Sequence, residues 1–150
     1  MAPLSAATIE PEPARSEDRA SIERLVAAND LPLQGLAEHL GSALVARVDG
    51  SVVGCVALEL YGEEALLRSL AVAPECRGRG LGLRLAGAAV EMARRRGARR
   101  VWLLTTTAEA FFPRLGFRRV GREHVPTALG ASAELRGACP ASAVTMRLET

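Results

Sequence analysis

Apolar positions along this chain change period several times, and each change marks an element. After Ser16 or Asp18, either of which can cap, Ile22, Leu25 and Val26 fall on one side of a helix. Asn29-Asp30-Leu31-Pro32 breaks it, and Leu33, Leu36, Ala37 and Leu40 predict a second short helix ended by Gly41. Apolar runs at 43–48 and 51–58 flank Asp49-Gly50, a two-residue hairpin signal. Tyr61-Gly62-Glu63-Glu64 turns into a further strand at 65–73, stopped by Pro74. The period then becomes helical: Leu81, Leu85, Ala89 and Met92 form a stripe that Gly82, Ala86 and Ala93 widen, and Gly97 closes it. Residues 100–105 read as a buried strand. A short helix follows from about Ala108, then strands at 117–120 and 143–148. Thr8-Ile9-Glu10 predicts an edge strand limited by Pro11 and Pro13, behind a flexible tail at residues 1–6.

Antiparallel strands followed by a strand–helix–strand crossover describe a mixed α/β (α+β) sheet with helices on both faces. A chain of 150 residues, 49% hydrophobic, suits one domain over residues 1–150. No apolar run approaches the ~20 residues of a membrane span, and the N-terminus lacks a signal-peptide core, so a cytoplasmic protein with no membrane partner is expected. Cys55, Cys76 and Cys139 are widely spaced with no CxxC pair, which argues against a disulfide framework and a metal site. A net charge of +2 is too small to imply a nucleic-acid partner. Arg94-Arg95-Arg96 and Arg99-Arg100 suit a helix C-terminus, and none of the five aromatics lies among them to stack on bases.

The stretch Cys76-Arg77-Gly78-Arg79-Gly80-Leu81-Gly82 joins a strand end to a helix N-terminus. Unpaired N–H groups and the helix dipole favour an anion there, and the glycines let it reach the backbone. The loop therefore reads as a pyrophosphate cradle. A P-loop is excluded because the chain has no lysine. A dinucleotide fingerprint is excluded because Leu83 stands at the sixth place from Gly78, and Ala98, Arg99 and Arg100 where an acidic residue is needed.

What fits is Arg77-x-x-Gly80-x-Gly82. It resembles the acetyl-coenzyme A signature, Arg/Gln-x-x-Gly-x-Gly/Ala, of the GNAT superfamily of N-acetyltransferases. Residues 108–117, Ala-Glu-Ala-Phe-Phe-Pro-Arg-Leu-Gly-Phe, look like that family's Ala-x-x-Phe-Tyr-x-x-Leu-Gly-Phe element beside the coenzyme thiol. Asp30-Leu31-Pro32, the run at 67–72, the run at 103–109 and Cys139-Pro140-Ala141-Ser142-Ala143 together resemble the arsenic-resistance branch, which is associated with detoxification of arsenicals.

The resemblance implies the GNAT fold, a central, mostly antiparallel sheet of six to seven strands. It implies acetyl-CoA as cosubstrate, a small-molecule primary amine as acceptor, an amino-acid-like arsenical or related toxin among the candidates, and room for a homodimer. Leu70, Ala71 and Val72 would bind pantetheine through backbone groups, with Leu70 N–H on the developing oxyanion. Arg77, Gly78, Arg79, Gly80, Leu81 and Gly82 would surround the pyrophosphate, and Phe112 would lie beside the thiol. Phe112 stands where the family often has a tyrosine acid, so Thr105, Thr106, Thr107, water, or no group at all protonates the thiolate.

Two further residues are singled out by their own chemistry. Glu59, read as closing a strand near the splay, is the first candidate base, acting through water, with His39 and His124 behind it. Arg68, inside an apolar strand, must face a cleft or a carboxylate; it either clamps an anionic acceptor or pairs structurally with a glutamate. Competing readings are a non-enzymatic metalloid or coenzyme sensor and a protein N-acetyltransferase.

Overall fold

The structure, a computed structural model, describes residues 9–150. Its elements are β1 (Glu12–Pro13), α1 (Arg19–Ala28), β2 (Ala43–Val48), β3 (Ser51–Tyr61), β4 (Glu64–Val72), α2 (Leu81–Arg95), β5 (Arg100–Thr105), β6 (Arg118–Val120) and β7 (Val144–Glu149). The strands make one sheet in the order β1-β2-β3-β4-β5-β7-β6. Every neighbouring pair is antiparallel except β4 and β5, which α2 joins by a crossover. This is the mixed, mostly antiparallel sheet expected, with a helix on each face.

Its apolar runs are continuous because both faces are covered. Val56 and Leu58 pack with Leu81, Leu85, Ala86, Ala89 and Ala93 of α2. Their neighbours Cys55 and Ala57 pack with Ile22 and Val26 of α1. Each fully buried leucine or isoleucine contributes about 1.5–3 kcal/mol. Gly54 is glycine for packing: a Cβ there would sit 2.7 Å from Cδ1 of the buried Leu85, which would have to shift to admit it. The Asp49-Gly50 turn has φ of 51° and 82°, the primed geometry that matches strand twist.

Four sequence expectations change in detail. The edge strand lies at Glu12–Pro13, and Ile9 and Glu10 lie outside it: Pro11 has no N–H, and pairing with β2 starts where Glu12 meets Val45. Thr8 and the tail lie outside the described residues. Neither Ser16 nor Asp18 caps α1 with its side chain. Asp18 accepts the Arg15 N–H at 2.7 Å and the Arg47 guanidinium instead, and the Arg47 bond foremost holds its carboxyl below the usual range. The second helix is a 3-10 run, Leu36–Ser42, because Gly35 at φ 79° and the start of β2 leave only seven residues. The helix expected from Ala108 is a single 3-10 turn, Phe112–Leu115, with Pro113 in its first turn and Gly116 at φ 100° closing it.

Candidate active site

β4 and β5 pair only from Glu64 to Leu66 against Arg100 to Trp102, and then diverge. On its other side β4 carries a bulge: Arg68 pairs with Ala57 and Ala71 with Cys55, so Ser69 and Leu70 together face Val56. Ser69 takes φ 58° there, a strained conformation for serine. It is held by Arg68 Nε on its Oγ at 3.1 Å and by Cys55 Sγ on its carbonyl at 3.4 Å. The gap between the strands is a cavity of about 460 Å³, lined by Leu67, Ser69 and Leu70 on one side and Leu103, Leu104 and Thr105 on the other. Phe112 lines it too, buried edge-on between Phe111 and Phe117 with ring centroids 5.0 and 5.6 Å away.

Beyond β4, a 3-10 turn at Pro74–Cys76 leads into the glycine loop, where Gly78 and Gly80 take φ of 78° and 81°. Gly80 is the N-cap of α2 and supplies no side-chain cap. Arg84 N–H is bonded to the Gly80 carbonyl at 3.1 Å, leaving the first-turn amides of Leu81, Gly82 and Leu83 directed out of the helix. A Cβ at Gly78 or Gly80 would meet only open space, so the glycines keep the approach clear. Arg77 Nε donates to Val72 O at 3.1 Å and Nη2 to Asn29 Oδ1 at 2.8 Å, tying the loop to the end of α1. Arg79 stands exposed on the same loop. An open glycine backbone, a helix N-terminus and two arginines fit a pyrophosphate. The unpaired edge at 67–72, where Leu70 and Val72 are half-buried and Ala71 buried, fits the amides of a pantetheine arm.

A buried charge cluster lies beneath the bulge. The Arg68 side chain is fully buried. Its Nη1 donates to Glu59 Oε2 at 2.8 Å, its Nη2 to Pro32 O at 3.1 Å, and its Nε lies 3.4 Å from Glu134 Oε2. The apolar run ends at Leu58 and puts Glu59 at the close of the strand, but β3 continues to Tyr61, which places Glu59 in its interior and 1% exposed. The remaining Glu59 oxygen accepts the Tyr61 hydroxyl at 2.5 Å, with His39 Nε2 at 3.7 Å. Burial foremost, then Glu59, pushes the Tyr61 hydroxyl upward.

Two members of this constellation, Glu134 and Cys139, have no place in the site expected from sequence, where Cys139 enters only as an isolated cysteine and as part of the branch resemblance. Between β6 and β7 no element was assigned, yet 3-10 turns at Arg122–His124 and Thr127–Ala131 and a π turn at Glu134–Ala138 close over the cluster. Leu129 anchors them against Leu66 and Trp102. They deliver Glu134 and Cys139 to the cavity wall. Burial raises the Glu134 carboxyl to about 7, against the lowering effect of Arg68, and pushes the hydrogen-bonded Cys139 thiol up to about 12. The local signals are the block that begins at Cys139 and Glu134 itself, the one acid between Glu123 and Glu149.

The other candidates are dispersed. Thr105 Oγ1 accepts the Ala108 N–H at 2.9 Å, while Thr106 and Thr107 are exposed beside the cavity. His124 is exposed, with Glu123 at 3.8 Å. Cys55 is buried on the α1 side and Cys76 is half-buried in the loop turn. No group of three metal-ligating side chains occurs among the described residues, and no helix there is long and apolar enough to cross a membrane.

A strand pair that splays beside a glycine-rich helix N-terminus defines a domain able to take an extended ligand with an anionic end. The model of the acetyltransferase (GNAT) family matches residues 5–117, and the chain belongs to that family of acyltransferases. An uncharacterized N-acetyltransferase of Chlorobaculum tepidum is 34% identical over 95 residues, 63% of this chain and 61% of that protein. An amino-acid acetyltransferase of Aeromonas salmonicida is 36% identical over 80 residues, 52% of this chain but only 18% of the relative. The chain thus spans well under the full length of these relatives. Among solved structures, Rv2747 of Mycobacterium tuberculosis, in complex with CoA, superposes with a TM-score of 0.78 at 25% identity, covering 93% of this chain and 98% of that one.

Proposed function

We propose that residues 1–150 act as one N-acetyltransferase domain that moves the acetyl group of acetyl-CoA to the primary amine of a small, amino-acid-like acceptor bearing a second anionic group. One observation carries this reading: a single cavity joins the unpaired edge of β4, the strand that leads into the glycine loop, to a buried guanidinium. In this reading the backbone of Leu70, Ala71 and Val72 holds the pantetheine amides. Arg77, Gly78, Arg79, Gly80, Leu81 and Gly82 hold the pyrophosphate, and Phe112 packs beside the thiol. Leu70 N–H steadies the oxyanion that develops at the acetyl carbonyl. Holding two reactants in register at the splay contributes up to ~7–11 kcal/mol in favourable cases, so little is asked of an acid, and Phe112 has no proton to give.

Arg68 Nη2 donates to the neutral Pro32 carbonyl at 3.1 Å, and a carboxylate or arsenic-centred anion is the stronger partner for that edge. Glu59, with both oxygens engaged by Arg68 and Tyr61, holds the guanidinium in place. The acceptor class is supported by the amino-acid acetyltransferase relative, and the arsenical by the branch resemblance. The test is a screen of L-amino acids, phosphinothricin and an amino-acid-like arsenical, with release of free thiol from acetyl-CoA as readout. Acceptors with a second acid group should show the highest kcat/KM, and Arg68→Lys should raise their KM while coenzyme affinity holds. Equal use of acceptors with and without that acid would refute the reading, and a preference for L-glutamate over the arsenical would remove the arsenic assignment alone.

A further inference from the structure

Amine acylation at neutral pH needs a group that removes a proton from an ammonium, and Glu59 is poorly placed for it: it does not line the cavity, and both its oxygens are bonded. Two carboxylates line the cavity. Asp30 is exposed, and Glu134 is 3% exposed, its carboxylate between Arg68 and Cys139. The backbone fixes Glu134 on both sides. Its N–H donates to Ser132 Oγ at 3.3 Å and its carbonyl accepts Cys139 N–H at 3.2 Å.

We infer that Glu134 is the base that takes the acceptor's ammonium proton, an assignment that rests on the acetyl-transfer reading above. Glu134 removes one proton and passes it to solvent. The freed amine forms a C–N bond at the acetyl carbon as the C–S bond breaks, and a second proton from that nitrogen ends on the departing thiolate. The reaction therefore releases one proton overall. Every charged or titratable group that faces Glu134 suits this role. Arg68 on β4 steadies the ionised carboxylate, Glu59 on β3 and burial oppose it, Cys139 donates to it, and the charge of Arg122 acts on Cys139. These opposed effects hold the carboxyl near neutrality, where a general base is most effective.

The test compares wild type, Glu134→Gln and Glu134→Asp, using L-glutamate and its 2-aminooxy analogue, whose nitrogen is already free base at neutral pH. Glu134→Gln should lower kcat for L-glutamate by at least ~100-fold and abolish the acidic limb of its pH profile, with coenzyme affinity unchanged. It should change the aminooxy rate less than about threefold, a selectivity that loss of a purely structural ion pair would not produce. Glu134→Asp, which keeps the carboxylate, should retain the limb at a reduced rate and stands in if the glutamine variant does not fold. An equal loss on both acceptors, or an unchanged limb, would overturn the inference. A second readout needs no turnover: the Glu134 side-chain carbon resonance, identified by its loss in Glu134→Gln, should titrate near neutrality. If neither L-glutamate nor another acceptor with a second acid group is acetylated, the acceptor reading fails and this titration decides. A midpoint in the ordinary carboxylate range overturns the base assignment.

Discussion

Replacing Arg68 with methionine, of similar length and no charge, should be among the most damaging single changes outside the hydrophobic core. The guanidinium is fully buried, and its removal strands Glu59, 1% exposed, whose Oε2 loses a donor at 2.8 Å. It also unbonds Pro32 O and Ser69 Oγ and removes the cation beside Glu134. Breaking a buried pair from one side costs about 3–5 kcal/mol, most of it the uncompensated charge left behind. For a domain of this size that lowers Tm by roughly 8–16 °C. The stranded carboxylates can escape by taking up protons, so the loss should be larger at pH 8 than at pH 5.5. Urea denaturation of wild type, Arg68→Met, Glu59→Leu and the double variant measures the coupling directly. The double variant should recover at least ~2 kcal/mol relative to the sum of the singles, because the pair is then replaced by apolar groups. A cost below about 1 kcal/mol for Arg68→Met, or simple additivity, would refute the view that this pair is one buried unit.

Three further outcomes follow from other parts of the structure. Because the folded Glu134 carboxyl lies at about 7 against an ordinary 4.5, the native state binds the proton more tightly, so this group's contribution to stability declines as pH rises from about 4.5 to about 7. Wild type should lose roughly 3 kcal/mol across that window relative to Glu134→Gln, and a flat difference between the two melting series would contradict the burial argument. Gly80→Glu places a carboxylate at the helix N-terminus in a backbone of φ 81°, and calorimetry should show coenzyme A affinity reduced more than about tenfold, roughly 1.4 kcal/mol, in the folded variant. Cys76→Ser alters only a half-buried turn residue, so acetyl-transfer kcat/KM should stay within about tenfold of wild type.

Local chemistry already specifies much of this molecule. The Asp49-Gly50 hairpin, the helical stripe from Leu81 and the glycines before it act within a few residues of themselves, through φ preference, period and the orphan amides of a helix start. Those features locate the proposed cradle and the strand–helix–strand unit. The acceptor end of the cavity is different in kind. Arg68 announces itself as a charge in an apolar strand, but nothing near it in sequence says that Glu59, nine residues back, continues the neighbouring strand to meet it. Still less does the chain signal that Glu134 returns on irregular turns after β6, a segment with no period to read. Whether a carboxylate is solvated, paired or held near neutral depends on what the rest of the fold packs around it, and desolvation is a property of the assembled structure, not of any stretch of chain.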